Sequence, residues 1–362
     1  MRDRVERPIR VLVVDDSAFM RKVLTELLQS DPLITVVATA RDGQDGVQKV
    51  LELQPDVVTL DIEMPRLDGF GTLREIMARR PTPVVMVSSH TREGAEATIR
   101  ALALGAVDFV AKPSGSISLN MHVARDELVA KVKAAASATP RVRMAAPSAP
   151  AVSPKEKMRA LAGLRHQAAA GDKPPRRLVV IGCSTGGPGA LHQIIPRLPA
   201  DLPAGVLVVQ HMPPGFTRSL AQRLDELSPI AVKEAQAGDR VRAGQVLVAP
   251  GGYHMTVDAD GRIGLDQGPP VHGVRPAVDV TFDSVLPVWK ERLVGVILTG
   301  MGYDGAKGMA RLKKAGGWTI VEDASTCVVY GMPRVVVEMG AAQEVLPVHS
   351  IAEAITRAVG EG

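Results

Sequence analysis

Ile9-Arg-Val-Leu-Val-Val14 runs directly into two adjacent carboxylates, Asp15 and Asp16. A short run of branched apolar residues with no alternation reads as a strand buried on both faces, the kind found in parallel sheets. The segment that follows, Ser17–Gln29, carries apolar residues at Phe19, Met20, Val23, Leu24, Leu27 and Leu28, which is the spacing of an amphipathic helix. The same succession repeats. Thr35–Ala40, Val57–Leu60, Pro83–Val87 and Val107–Val110 read as further strands with helical segments between them, and a last helix is expected over Ala124–Ser137. Strands alternating with helices predict a parallel α/β sheet.

Such a sheet binds its ligands outside the carboxyl ends of the strands. Asp15 and Asp16 close the first strand, Asp61 the third and Ser88 the fourth, and Lys112 follows the fifth. Topology therefore gathers these five at one edge. Carboxylates packed this closely repel one another unless a hard cation joins them. Mg²⁺ suits the site, since it takes one or two carboxylates together with phosphate and water. Asp61 is then available as a carboxylate nucleophile toward a phosphoryl group, giving an aspartyl phosphate. Lys112 would pair with one phosphate oxygen and Ser88 would donate to another. The competing view, that strand-end carboxylates only cap helices, suits one aspartate better than all five positions together.

Val-Val-Asp15-Asp16-Ser, Asp61-Ile-Glu-Met-Pro65 with Asp68-Gly69, Val87-Ser88-Ser and Phe109-Val-Ala-Lys112-Pro113 resemble the response-regulator receiver family over about residues 5–138. The resemblance implies a flavodoxin-like (βα)5 domain, phosphorylated on Asp61 by a histidine kinase. It implies Mg²⁺ held by Asp15, Asp16, Asp61 and the backbone carbonyl of Glu63. It also casts Phe109 as a switch aromatic beside Ser88 and Lys112.

Residues 139–175 are rich in Ala, Pro, Ser and Arg, with prolines at 140, 147, 150, 154, 174 and 175. This stretch reads as a linker, with a helix conceivable only over Lys155–Ala170. From Thr139 to Arg177 there are nine Lys or Arg against two Asp or Glu, a balance of +7, so with a net charge of +4 the rest of the chain sums to about −3. A basic connector between near-neutral domains is not a DNA-binding domain, and no helix-turn-helix pattern follows the receiver. No apolar run is long enough to enter a membrane, and two cysteines make no disulfide framework, so a cytoplasmic protein is expected. Aromatic residues are 3% of the chain, which leaves the cores to aliphatic side chains.

A second α/β region is expected over 176–362. Its strands are Leu178–Ile181, Gly205–Gln210, Val246–Ala249 and Leu293–Leu298, and its helices lie near Gly189–Ile195, Phe216–Leu227, Val278–Leu286 and Ala306–Ala315. The first of these strands leads into Gly182-Cys-Ser184-Thr-Gly186-Gly187, a G-x-S-x-G at a strand-to-helix turn. Glycines there allow the tight turn that exposes a nucleophilic hydroxyl. A helix N-terminus beyond it supplies N–H groups for a developing oxyanion. A bare glycine turn and a dinucleotide fingerprint compete with this reading, although the latter wants glycine where Ser184 stands.

Of eight histidines, His211 is best placed as the base, because it ends the second strand at the same sheet edge as Ser184. His192 is eight residues along the helix after Ser184, about 12 Å of rise, and cannot reach it. His254 and His272, in glycine-rich loops, are weaker rivals. Asp304, in the loop after Leu293–Leu298, is the candidate orienting acid. The order Ser, His, Asp differs from that of the α/β-hydrolases.

These segments, with Val-Gln-His211-Met-Pro-Pro-Gly-Phe, Ala249-Pro-Gly-Gly, Arg275-Pro-Ala-Val-Asp279-Val and Leu-Thr-Gly-Met301-Gly-Tyr-Asp304-Gly, resemble the CheB family of chemotaxis protein-glutamate methylesterases over about residues 176–360. The resemblance implies a doubly wound, mostly parallel α/β esterase domain with the triad Ser184, His211 and Asp304. It implies backbone oxyanion donors at Thr185 and Met301, and no cofactor in this domain. It implies demethylation of methyl-accepting chemotaxis receptors, deamidation of particular receptor glutamines, and a receiver that covers the esterase cleft until phosphorylated. Cys183 departs from the family's usual Ala and is expected to be a buried neighbour rather than a nucleophile. Asp279 is family-like without an evident chemical role. A non-catalytic two-component signalling adaptor is the main alternative.

Overall fold

A computed structural model of the chain describes residues 7–89, 91–112, 119–138 and 175–360. The division into two compact units falls between 145 and 146. Nearly all of the expected linker, and Pro113, lie outside the described residues.

The first unit is a five-stranded sheet of β1 (Ile9–Val14), β2 (Ile34–Ala40), β3 (Val57–Asp61), β4 (Val84–Ser88) and β5 (Asp108–Ala111) in the order β2-β1-β3-β4-β5. Every pairing is parallel. Between and after the strands come α1 (Ala18–Gln29), α2 (Gly43–Leu53), α3 (Gly69–Arg79), α4 (Arg92–Ala103) and α5 (Leu119–Ser137). The side chains of Ser17, Asp42, Asp68 and Thr91 each accept a first-turn N–H and so fix the starts of α1 to α4. The last helix begins five residues before the expected Ala124. Asp61 and Ser88 are the final residues of their strands, so the carboxyl edge is as the sequence implied.

The second unit is built on seven parallel strands: β6 (Arg177–Cys183), β7 (Ala204–Gln210), β8 (Ala231–Glu234), β9 (Gln245–Val248), β12 (Leu293–Ile297), β13 (Trp318–Glu322) and β14 (Glu344–Leu346). Their order is β14-β13-β12-β6-β7-β9-β8, with an antiparallel hairpin of β10 (His254–Val257) and β11 (Ile263–Asp266) apart from the sheet. The helices are α6 (Gly187–Ile194), α7 (Phe216–Leu227), α8 (Val278–Trp289), α9 (Ala306–Lys314), α10 (Met332–Glu338) and α11 (Val348–Gly360). Successive strand residues face opposite sides. Leu178, Val180, Leu207, Val209 and Leu247 join one core with Phe282 and Val285 of α8, Met309 and Leu312 of α9, and Met255 of the hairpin. Val179, Ile181, Val206 and Val208 alternate with them and are also fully buried, so the sheet is covered on both faces. Helix α8 runs past Pro287 to Trp289, and the proline, having no N–H, leaves one intrahelical bond unmade.

Candidate active site

The register of two neighbouring strands sets the Ser–His pair. Cys183 of β6 is opposite Gln210 of β7, so the next residue on each chain, Ser184 and His211, leaves the sheet side by side. Parallel neighbours lie roughly 4.8 Å apart. The His211 N–H donates to the Cys183 carbonyl at 3.1 Å, extending the ladder to the turn itself. The Gln210 amide then donates to the Ser184 and His211 carbonyls, 3.0 Å each, and ties the two loops together.

On the other flank of β6, Gly182 is opposite Ile297 of β12, and the Ser184 N–H donates to the Thr299 carbonyl at 3.0 Å. Gly300 comes so close that an added Cβ would sit 2.7 Å from the Ser184 Cβ and 2.5 Å from the Met332 sulfur. Gly300→Ala must therefore displace Ser184. A loss of at least tenfold in ester turnover is expected, given that a misplacement near 1 Å costs about a hundredfold. Turnover at the wild-type rate would show that Ser184 tolerates the shift.

His211 Nε2 meets Asp304 Oδ2 at 2.8 Å, with Asp304 buried and His211 partly buried. Asp304 also caps α8 from outside: Oδ2 accepts the Val278 N–H at 2.6 Å and Oδ1 the Asp279 N–H at 3.0 Å. Burial pushes the Asp304 carboxyl up. The hydrogen bond and charge of His211, with the two amide N–H groups, outweigh burial and hold it below the usual carboxylate range. Engaging Nε2 leaves Nδ1 as the imidazole nitrogen for proton exchange with Ser184. The structure thus joins His211 to Asp304, while Ser184 is beside His211 by register without a hydrogen bond between hydroxyl and imidazole. Such contacts tighten when substrate binds.

Beyond Ser184 the chain turns sharply through Gly186, at φ +80°, into α6. The Ser184 carbonyl accepts the Gly187 N–H at 2.8 Å. Thr185 is buried and Met301 is exposed, and among the described residues neither backbone N–H donates to another group.

Other sequence candidates have structural partners. His192 Nδ1 contacts the Pro188 carbonyl and His254 Nε2 the Pro269 carbonyl. His272 is nearer the site than a loop position suggested. Its Nε2 is 3.1 Å from Asp279 Oδ2, and its ring meets Tyr303 edge-on with centroids 4.7 Å apart. Asp279 gains a role: its Oδ1 accepts the Gly308 N–H of α9 at 2.8 Å. Asp304 caps α8 from just before α9, and Asp279 caps α9 from α8, so the two helix starts lock reciprocally. Cys183 is fully buried, and burial, aided by the charge of Glu322, pushes its thiol well above the ordinary range. A thiol so held is not a nucleophile.

In the first unit Lys112 Nζ is 2.7 Å from Asp61 Oδ2 and 3.4 Å from Asp15 Oδ2. Carboxylate oxygens of Asp15, Asp16 and Asp61 lie within 4.8 Å of one another. Burial pushes the Asp61 carboxyl up to about 6, with Lys112 opposing and Asp15 adding to the rise. Burial likewise raises Asp15. Burial alone would lower the Lys112 ammonium, but Asp61 and Asp15 raise it overall. Asp15 Oδ2 is buried with no hydrogen-bond partner. A buried carboxylate oxygen with no hydrogen bond and only the Lys112 ammonium near it, inside a cluster of like charges, fits a hard divalent cation. Glu63 is exposed two residues past Asp61. The Ser88 hydroxyl donates to the Gly94 carbonyl of α4 at 3.0 Å. Phe109 is buried, with the Lys131 ammonium 4.8 Å above its ring.

Fold and site define a receiver followed by a parallel α/β unit that carries a serine, a histidine and an aspartate at one sheet edge. The chain matches the family model for the response regulator receiver domain over residues 11–124 and that for CheB methylesterase over 179–355. The protein-glutamate methylesterase/protein-glutamine glutaminase of Symbiobacterium thermophilum is 89% identical over 100% of both chains. That of Pyrococcus abyssi is 50% identical over 98% of this chain and 94% of its own. The CheB methylesterase catalytic domain of Thermotoga maritima, a crystal structure, is 49% identical with a TM-score of 0.50, covering 51% of this chain and 99% of that one. The chain belongs to the CheB methylesterase family.

Proposed function

We propose that this protein hydrolyses glutamyl γ-methyl esters on methyl-accepting chemotaxis receptors, and deamidates particular receptor glutamines, under control of phosphorylation at Asp61. The observation that carries the proposal is the His211–Asp304 pair, 2.8 Å apart, at the strand end beside Ser184. The domains are assigned as a receiver over 1–138, a linker over 139–175 and an esterase over 176–362.

Ser184 attacks the ester carbonyl while His211 takes its proton. Asp304 holds the imidazole tautomer and stabilises the imidazolium. The Thr185 and Met301 N–H groups receive the oxyanion. The proton returns to the leaving methoxide, methanol departs, and water, deprotonated by His211, releases the glutamate and frees Ser184. With a glutamine substrate the leaving group is ammonia.

In the receiver, Asp15, Asp16, Asp61 and the Glu63 carbonyl would hold Mg²⁺, which when bound offsets the charge of carboxylates and phosphate. The Asp61 carboxylate attacks the phosphoryl group on the phosphohistidine of a chemotaxis histidine kinase; its O–P bond forms as the P–N bond breaks, and the imidazole leaves with the kinase. Lys112 pairs with a phosphate oxygen. Ser88, released from the Gly94 carbonyl, donates to another, and Phe109 follows as the switch. The site of action is the cytoplasm, with neither nucleic acid nor membrane insertion involved; among the described residues no helix is long and apolar enough to cross a membrane.

Asp61→Asn should keep basal methanol release and lose its stimulation by a small-molecule phosphodonor. A variant still stimulated as strongly as wild type would remove Asp61 from the control step. A folded wild type that releases no methanol from methylated receptor membranes would support the adaptor alternative instead.

A further inference from the structure

Thr299 is the second residue past β12 and is 1% exposed, so it reaches no substrate. Its carbonyl accepts the Ser184 N–H at 3.0 Å, and its hydroxyl donates to the Thr185 carbonyl at 2.9 Å. Those two groups belong to the peptide units on either side of the one that carries the Thr185 N–H. Peptide units are rigid planes, so fixing both flanks leaves the middle one little freedom. That middle unit is held at its own carbonyl by Gln210 and Gly187.

Thr299 is itself pinned. Its N–H donates to Glu322 Oε2, a buried carboxylate at the end of β13, at 2.8 Å. Its hydroxyl accepts the Val328 and Val329 N–H groups at 3.1 and 2.9 Å, and the Val329 carbonyl is farther off at 3.3 Å. A hydroxyl has one proton to give and two lone pairs to offer, so Thr299 uses all of them. Two residues further on, the same loop presents the Met301 N–H.

We propose that Thr299 is a positioning residue for the oxyanion pocket: by gripping the Ser184–Thr185 turn and the loop leading to Met301, it sets the spacing of the two backbone donors. This rests on the reading of Thr185 and Met301 as those donors. A donor helps only where it is aimed at the oxyanion rather than the ground-state carbonyl, so a small misalignment reduces turnover and spares substrate binding.

The test is methanol release from methylated receptor membranes by the full chain, as wild type, Ser184→Ala, Thr299→Val and Thr299→Ser. Valine keeps the shape without the hydroxyl, and serine restores it. Thr299→Val should lose about tenfold to a hundredfold in kcat, with KM within about twofold. Thr299→Ser should stay within about threefold of wild type. The pH–rate profile should keep its wild-type midpoint, since His211 and Asp304 are untouched. Normal kcat in Thr299→Val, a loss confined to KM, or equal losses in Val and Ser variants would each overturn the proposal. Should the Val variant fail to fold, Thr299→Cys takes its place. A thiol donates weakly, so its kcat should fall below that of the Ser variant; equality would overturn the proposal. Wild type that releases no methanol would overturn the underlying reading, whereas an active wild type with an unaffected Thr299→Val overturns this inference alone.

Discussion

Ser184→Ala should lower the turnover of methyl ester by about 10⁵- to 10⁶-fold, the loss seen when a triad serine is removed, and leave melting unchanged. The two halves of this expectation come from different atoms. The backbone of Ser184 is structural: its N–H binds Thr299 and its carbonyl accepts Gly187 and Gln210. Its hydroxyl makes no hydrogen bond within the described residues, so alanine removes the reacting atom and no support. Thermal unfolding followed beside methanol release checks both. A variant that melts normally and keeps its turnover would remove Ser184 from the chemistry. Phosphorylation of Asp61 should proceed as in wild type.

Asp304→Asn should cost about 10³- to 10⁴-fold in kcat, because an amide no longer holds the imidazole in the tautomer that accepts the serine proton. Here stability should fall too. Three donors converge on this carboxylate: His211 Nε2, the Val278 N–H and the Asp279 N–H. A carboxylate satisfies all three. An amide, in either orientation, turns its own NH₂ toward at least one of them, leaving a buried donor unpaired at a cost of about 1–3 kcal/mol. The pH dependence has a definite sign. The folded carboxyl lies below the usual range, so its contribution is fully present above the unfolded value near 4. It is lost as pH falls through the lower folded value. The melting difference between wild type and Asp304→Asn should therefore be largest at neutral pH and shrink in acid. A difference that grows in acid would contradict the charge state assigned to Asp304.

The sequence exposed the strands that matter because each is a short apolar run ending on a chemically distinctive residue. Asp61, Ser88, Ser184 and His211 all lie at strand ends, and one rule about parallel sheets gathers them. Strand order was less accessible. Asp304 follows β12, which is separated from β7 by β6, so its contact with His211 depends on the loop of 299–305 and the start of α8. Nothing local announces that Asp304 caps a helix begun some 26 residues earlier. Asp279 was visible as a motif residue, yet its partners, Gly308 and His272, come from other segments. Thr299 and Gln210 act through backbone groups of the catalytic turn, and such roles leave no compositional trace. The β10–β11 hairpin escaped notice because its four-residue strands carry His, Thr, Gly and Asp among the apolar positions.

One hydroxyl, deprotonated by His211 while Asp304 steadies the imidazole, does the hydrolysis. The most direct test of this is the methanol set free from methylated receptor membranes by wild type and by Ser184→Ala, each with and without phosphodonor. Methanol should be released by wild type alone, and faster once the phosphodonor is added. Matching release from the alanine variant would contradict this role for Ser184.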